Sequence, residues 1–143
     1  MIVVGVDSSF ESKAALRWAV DEAKLRGTSV LVLYAWQWPA VGSTTFLPAE
    51  MLDPEYFAGR ARQVVEAAVA EVAAPDGAVE VEGRAVEGQP AQTLIDAAHE
   101  GDLLVLGSRG HGGFAGLMLG SVGQHCVHHA HCPVVIVRES ERS

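Results

Sequence analysis

The stretch LLVLGSRGHGGFAGLMLGSVG, residues Leu103 to Gly123, holds the pattern that decides the fold of this chain. It opens as an apolar run, Leu103 to Leu106, and breaks into a loop with glycines at 107, 110, 112, 113 and 116. A second glycine turn, Gly120-Ser121, leads into an apolar, His-rich stretch. Strand, glycine loop and helix start in succession make an anion cradle. Glycine lets a backbone approach closely and turn several N–H groups inward, and a helix start adds positive potential. The spacing Gly107-x2-Gly110-x9-Gly120-Ser121 points to a nucleotide phosphate.

Outward from this stretch, strands and helices alternate along the whole chain. Ile2 to Val6 is a continuous apolar run, the mark of a strand buried on both faces. Ser8 and Glu11 form a capping-box pattern, and Ala15, Leu16, Ala19, Val20 and Ala23 follow at helical spacing until Gly27. Ser29 to Ala35 is a second buried strand. A loop with Pro39, Gly42 and Pro48 precedes a long helix from Pro54 to Ala74, with Val64, Ala68 and Val72 on one face. Pro75-Asp76-Gly77 is a turn. Val79 to Val86 alternates polar and apolar residues. Gly88 and Pro90 open a third helix around Leu94, Ile95 and Ala98, which Gly101 closes. Asp102 to Gly107 is the fourth strand, Val122 to Ala130 the fourth helix, and Pro133 to Arg138 the fifth strand.

Strand composition orders the sheet. Strands one, two and four are apolar throughout and belong in the middle, whereas the third carries Glu80, Glu82 and Arg84 and suits an edge. Right-handed crossovers with a single reversal give the order 3-2-1-4-5. The fold class is therefore α/β: a three-layer α/β/α sandwich on a five-stranded parallel sheet, Rossmann-like. Residues 1–143 read as a single domain, with no linker or repeat. The reversal lies between strands one and four, and open α/β sheets bind ligands outside the carboxyl ends of strands at such a point. Those ends are Val6-Asp7-Ser8 and Leu106-Gly107-Ser108, so architecture and glycine loop indicate the same place.

Composition narrows the ligand. The chain has 143 residues, 49% hydrophobic and 20% charged, with a net charge of −8. That charge argues against nucleic acid or an anionic membrane as partner. Phosphate would then be held by backbone N–H groups and Arg109 rather than by a basic surface. No signal-type segment or apolar run of about 20 residues is seen, and Cys126 and Cys132 form no disulfide framework, so the expected location is cytoplasmic.

The chain resembles a universal stress protein of the small single-domain type whose motif-bearing members bind ATP. The resemblance rests on VVGVDSS from Val3, VLVLYAW from Val30, GDLLVLGSRGHGGFAGLMLGSV from Gly101, and HCPVVIVR from His131. The family motif G-x2-G-x9-G-[ST] is kept as Gly107, Gly110, Gly120 and Ser121. The resemblance implies that Val6, Asp7 and Ser8 meet the nucleoside and that Ala35 backs the adenine. Leu106, Gly107, Ser108, Arg109 and Gly110, with Gly120, Ser121 and Val122, would wrap ribose and phosphates. Many relatives carry a hydroxyl residue where this chain has Gly123, so a hydroxyl contact to phosphate or metal is missing while the backbone N–H remains. ATP is the implied ligand, with or without Mg2+.

Competing readings are weaker. Gly110-x-Gly112-x-x-Ala115 matches a dinucleotide fingerprint but follows the fourth strand, with no acidic residue about 20 positions on. No Gly-Lys-[Ser/Thr] exists, which excludes a Walker A loop. Asp7 could cap the first helix as well as meet a ligand. Ser8 and Ser9 have no visible base partner, so nucleophilic catalysis is a poor reading. His125 and His129 share a helix face at i, i+4, as do His128 and Cys132, yet no third ligand is evident. Structural packing is the favoured role for this stretch, and no metal site is expected. His111, in the glycine loop, would lie near the phosphates and could modulate them by its charge.

Efficient phosphoryl transfer needs a cation on the γ-phosphate, a carboxylate on magnesium and a water-positioning base. The chain offers Asp7, Arg109 and His111 without a second acidic group beside the loop. A nucleotide-dependent regulatory binding module in the stress response is the better reading. A slow ATPase or phosphotransferase, with turnover below about 1 s⁻¹, and a module preferring AMP or cyclic AMP are the alternatives. Two further expectations follow. Residues Trp38 to Met51 would form a mobile lid after strand two. The uncharged fifth strand, 133–138, would pair with its twofold mate in a homodimer.

Overall fold

The computed structural model describes residues 1–7, 9–37, 53–73, 76–109 and 119–139. Along them run β1 (Ile2–Gly5), α1 (Phe10–Arg26), β2 (Val30–Trp36), α2 (Pro54–Val72), β3 (Val81–Glu87), α3 (Pro90–Ala97), β4 (Leu103–Gly107), α4 (Ser121–His129) and β5 (Val134–Val137). The strands form one parallel sheet in the order β3-β2-β1-β4-β5, as expected. Ile2 stands opposite Val30 on one side and Leu103 on the other, so β1 is the central strand.

The continuous apolar strands are explained by two cores. Side chains alternate across a sheet, so each central strand supplies both faces in turn. Ile2, Val4, Val30, Val32, Leu103 and Val105 pack with Ala15, Leu16, Ala19 and Ala23 of α1 and with the edge of α2. Val3, Leu31, Leu33, Leu104 and Leu106 pack with Ala91, Leu94 and Ile95 of α3 and Cys126 of α4. Burying each such Val, Leu or Ile contributes roughly 1.5–3 kcal/mol. Gly5 belongs to this packing, because a Cβ there would stand 2.8 Å from Leu106 and 3.0 Å from Leu94.

Local signals were misread at several boundaries. The cap of α1 is Ser9, not Ser8, and its side chain accepts from the N–H of Ser12. Gly27 ends α1 at φ 65°, the left-handed conformation that favours glycine. On α2 the inward residues are Ala61 and Val65, followed by Ala68, Val69 and Val72, so Val64 lies off the expected face. Helix α3 stops at Ala97 with Ala98 as its cap, well before Gly101. The edge strand starts at Val81 rather than Val79, and exposed Glu82 and Arg84 pair along it at 2.8 Å.

The packing expected of the His-rich stretch holds for its cysteines and not for its histidines. Cys126 lies in the core and Cys132 packs against it, whereas His125, His128, His129 and His131 are exposed. A helix of this length has one inward stripe, and Val122, Gly123 and Cys126 fill it.

Candidate functional site

Beyond the carboxyl ends of β1 and β4 lies a cavity of about 310 Å³, within the usual range for small-ligand sites. Gly5, Leu33, Leu94 and Leu106 give it apolar surface. Polar groups come from two helix starts, each placed by a central strand.

The first is the β1–α1 turn. The Ser9 N–H donates to Asp7 Oδ1 at 3.0 Å, and the Ser12 N–H donates to Ser9 Oγ at 3.1 Å. Ser12 Oγ donates to the Ser9 carbonyl at 3.1 Å and accepts from the Asp7 N–H at 3.3 Å. Ser9 and Ser12 are buried, so these bonds satisfy groups that water cannot reach. Asp7 is not the cap of α1: one carboxylate oxygen braces the turn before it, and the residue lines the cavity.

The second is the β4–α4 connection. The Ser108 N–H donates to Val137 O at 2.9 Å, and the Gly120 N–H donates to Ser108 O at 2.8 Å. The start of α4 is thereby tied to the end of β4. Gly120 is the N-cap, extended at φ −70° and ψ 167°, and among the described residues no side chain caps the helix. The N–H groups of Ser121, Val122 and Gly123 stand in the first turn, where no helical carbonyl can reach them. They border the cavity and bring the positive end of the helix dipole with them.

Charge in the site is sparse. Asp7 and Arg109 are the charged side chains among the described lining residues. Arg109 is half-exposed, and its Nη2 lies 3.8 Å from Glu11 Oε1 in the first turn of α1. Gly107 allows this approach of strand and helix, since a Cβ would stand 2.6 Å from the Glu11 backbone carbon. Gly123 has a packing reason as well: a Cβ there would meet Leu119 at 2.7 Å and Ile136 at 3.7 Å.

Of the expected site residues, the cavity gathers Val6, Asp7, Ala35, Leu106, Gly107, Ser108, Arg109, Gly120, Ser121, Val122 and Gly123. Ser8 and Gly110 lie outside the described residues, as do His111 and the segment Trp38 to Met51 expected as a lid. Sequence reading missed Gly5, Ser12, Leu33, Tyr34, Pro90 and Leu94. The signal for most of them was available, because Gly5, Leu33 and Tyr34 stand near strand carboxyl ends and Pro90 opens the helix after β3. A second cavity, about 340 Å³, lies between α1 and α2 beside Val6, Leu16, Val64 and Ala68. Its described lining holds no glycine turn, and the helix start it borders, at Ser12 and Lys13 of α1, is capped by Ser9.

Among the described residues no group of three or more His, Cys, Asp or Glu could hold a metal ion. No helix among them is long and apolar enough to cross a membrane.

The family model described as Universal stress protein family matches residues 1–138. Universal stress protein Rv2623 of Mycobacterium tuberculosis is 35% identical over 146 residues, covering 97% of this chain and 45% of that protein. The chain thus spans about half the length of that relative. The universal stress protein UspA from Lactobacillus plantarum is 28% identical with a TM-score of 0.72, 96% of each chain being covered. A universal stress protein solved in complex with cAMP is 30% identical with a TM-score of 0.69, 97% of each chain being covered.

Proposed function

This chain belongs to the universal stress protein family, and from that premise we propose that it is an adenine-nucleotide-binding regulatory module of the stress response. It takes ATP between β1 and β4 and acts as a homodimer. The observation that carries the reading is the uncapped start of α4 facing a partly apolar cavity at the reversal of the sheet. The base is received by the apolar side, near Leu33, Ala35 and Leu94. The Asp7 carboxylate meets the nucleoside. The phosphates take the backbone N–H groups of Ser121, Val122 and Gly123, and Arg109 supplies the nearby cation. Such donors exchange hydration of a phosphate for fixed dipoles without requiring a basic protein surface.

Chemistry on the bound phosphates is not part of the reading. Asp7 commits one oxygen to the Ser9 N–H, and Gly123 brings no hydroxyl, so a magnesium ion accompanying ATP would rest chiefly on the phosphates themselves. A role in signalling from the cytoplasm fits a module whose occupancy, rather than turnover, is what partners sense.

A second reading, a preference for AMP or cyclic AMP, is favoured by two observations. The related structure with cAMP shares the fold, and the Arg109 cation already has an acidic neighbour in Glu11. Titration calorimetry of the purified chain with ATP, AMP and cyclic AMP tests both. At least one should bind with a Kd in the micromolar range, about −8 kcal/mol. No heat and no competition with any of the three would overturn the cradle, and the order of affinities decides between the readings.

The dimer rests on β5. Val134, Val135, Ile136 and Val137 are half-buried and carry no charge, and among the described strands β5 ends the sheet, an apolar edge suited to pairing. Antiparallel pairing of residues 133–138 about a twofold axis would satisfy its free backbone groups. Sedimentation should give a dimer at micromolar concentration for the unmodified chain and a monomer or precipitate for Val135→Glu. A soluble monomeric parent would remove the dimer from the proposal.

A further inference from the structure

The His-rich end of α4 is the cluster of chemistry-bearing side chains that the nucleotide reading leaves unused. His125 and His129 are both exposed, four residues apart, with ring centroids 4.6 Å from each other and planes tilted by 43°. Residues four apart on a helix are neighbours on one face. Since neither ring is packed into the core, neither is required there by the fold.

The separation has a chemical meaning. A late first-row cation held by an imidazole nitrogen lies about 2.0–2.1 Å from it, so its distance to the ring centre is about 3.2 Å. Two such arms meeting at an angle between square and tetrahedral put the ring centres about 4.5–5.2 Å apart. The observed 4.6 Å falls in that span. By contrast His128 and His129, at 6.4 Å, could share an ion only with both arms in line, an arrangement that adjacent helical residues do not offer.

We propose that His125 and His129 form a surface chelate for a divalent transition metal, with Cu2+, Ni2+ and Zn2+ as the fitting class. Imidazole donors select these ions over magnesium and calcium, and copper heads the order of affinity. Two protein ligands leave the remaining coordination positions to water, so the site is open and exchangeable. The ion would staple one turn of α4, beginning two residues beyond Gly123. The site is independent of the nucleotide reading and stands or falls without it.

Titration of the untagged chain with CuCl2 and ZnCl2, followed by calorimetry and by the visible and electron paramagnetic resonance spectra of copper, tests it. The expected result is one equivalent bound with a nitrogen-ligated copper signature. His125→Ala and His129→Ala should each weaken that equivalent by at least about tenfold, the loss of one arm of a chelate. His128→Ala and His131→Ala should leave it within about twofold. These side chains are exposed, so circular dichroism should show the same fold in all four variants. Absence of a stoichiometric site, equal loss in His128→Ala, or indifference to His129→Ala would each overturn the chelate.

Discussion

Two helices leave the same end of the sheet from neighbouring strands, and their starts are built in opposite ways. At α1 the chain satisfies itself: Ser9 caps, Asp7 braces Ser9, Ser12 closes the ring, and Glu11 adds an acid to the first turn. At α4 the cap is Gly120, no side chain among the described residues reaches back, and the first turn holds no acid. A polypeptide that wanted only a stable helix would place Ser, Asp or Asn at position 120. The difference teaches that one helix start is finished by its own side chains, while the other is left without a side-chain cap among the described residues, as the proposed phosphate site requires.

The sharpest way to break this contrast is to finish α4 as α1 is finished. Gly120→Asp is free of backbone strain, since φ −70° suits any residue. It should raise stability by a few tenths of a kcal/mol through capping. It should weaken adenine-nucleotide binding by about 100-fold, because the new carboxylate competes with and repels phosphate. Thermal unfolding and calorimetry read the two effects separately, and unchanged affinity would mean that α4 does not meet the phosphates.

A smaller effect follows at the buried side of the same helix. Cys126 is fully buried, and burial, with the charge of Cys132 adding to it, pushes its thiol up to about 11. At pH 8 it should react with iodoacetamide only when α4 opens, well after Cys132, which is half-buried. Nucleotide at ten times its Kd should slow Cys126 labelling about tenfold, by mass action on the closed form. Mass spectrometry of a time course checks this. Labelling that ignores nucleotide would detach the start of α4 from the ligand.

The smallest effect belongs to the finished start. Ser9→Ala should cost about 1 kcal/mol of stability. Affinity for nucleotide should move less than about threefold, because Ser9 serves the helix rather than the cavity. Urea unfolding beside calorimetry measures both. A large loss of affinity would show that the two starts are not separable.

The sheet was legible because Ile2–Gly5, Val30–Leu33 and Leu103–Leu106 are apolar on both faces, and a strand that reads so must lie between two helical layers. The reversal at β1 and β4 followed from topology, and the spacing of Gly107, Gly120 and Ser121 marked the cavity. What failed was local. Ser8 and Ser9 offer the same hydroxyl one residue apart, and only the path of the turn selects Ser9. Val64 and Val65 are both apolar, and only the packing of α2 on the sheet shows that Val65 turns inward. The histidines of α4 read as packing because no third metal ligand is evident in the sequence, yet Val122, Gly123 and Cys126 already fill the inward stripe. Glycine, too, carried a double meaning. Gly107 and Gly123 belong to the expected cradle and are equally demanded by Glu11 and Leu119.

The pairing of Ile2 with Leu103 has a consequence for how the chain is made. Synthesis runs at about 5–20 residues per second, so β1 waits about 5–20 s after it is formed before its second neighbour exists. During that interval β2 can dock on one side, but the other edge of the most buried strand stays open, presenting Val3 and Val4 to the crowded surroundings of the ribosome. The nascent chain is therefore at its most aggregation-prone while it is half made, and holdase chaperones should bind it most strongly before β4 has emerged.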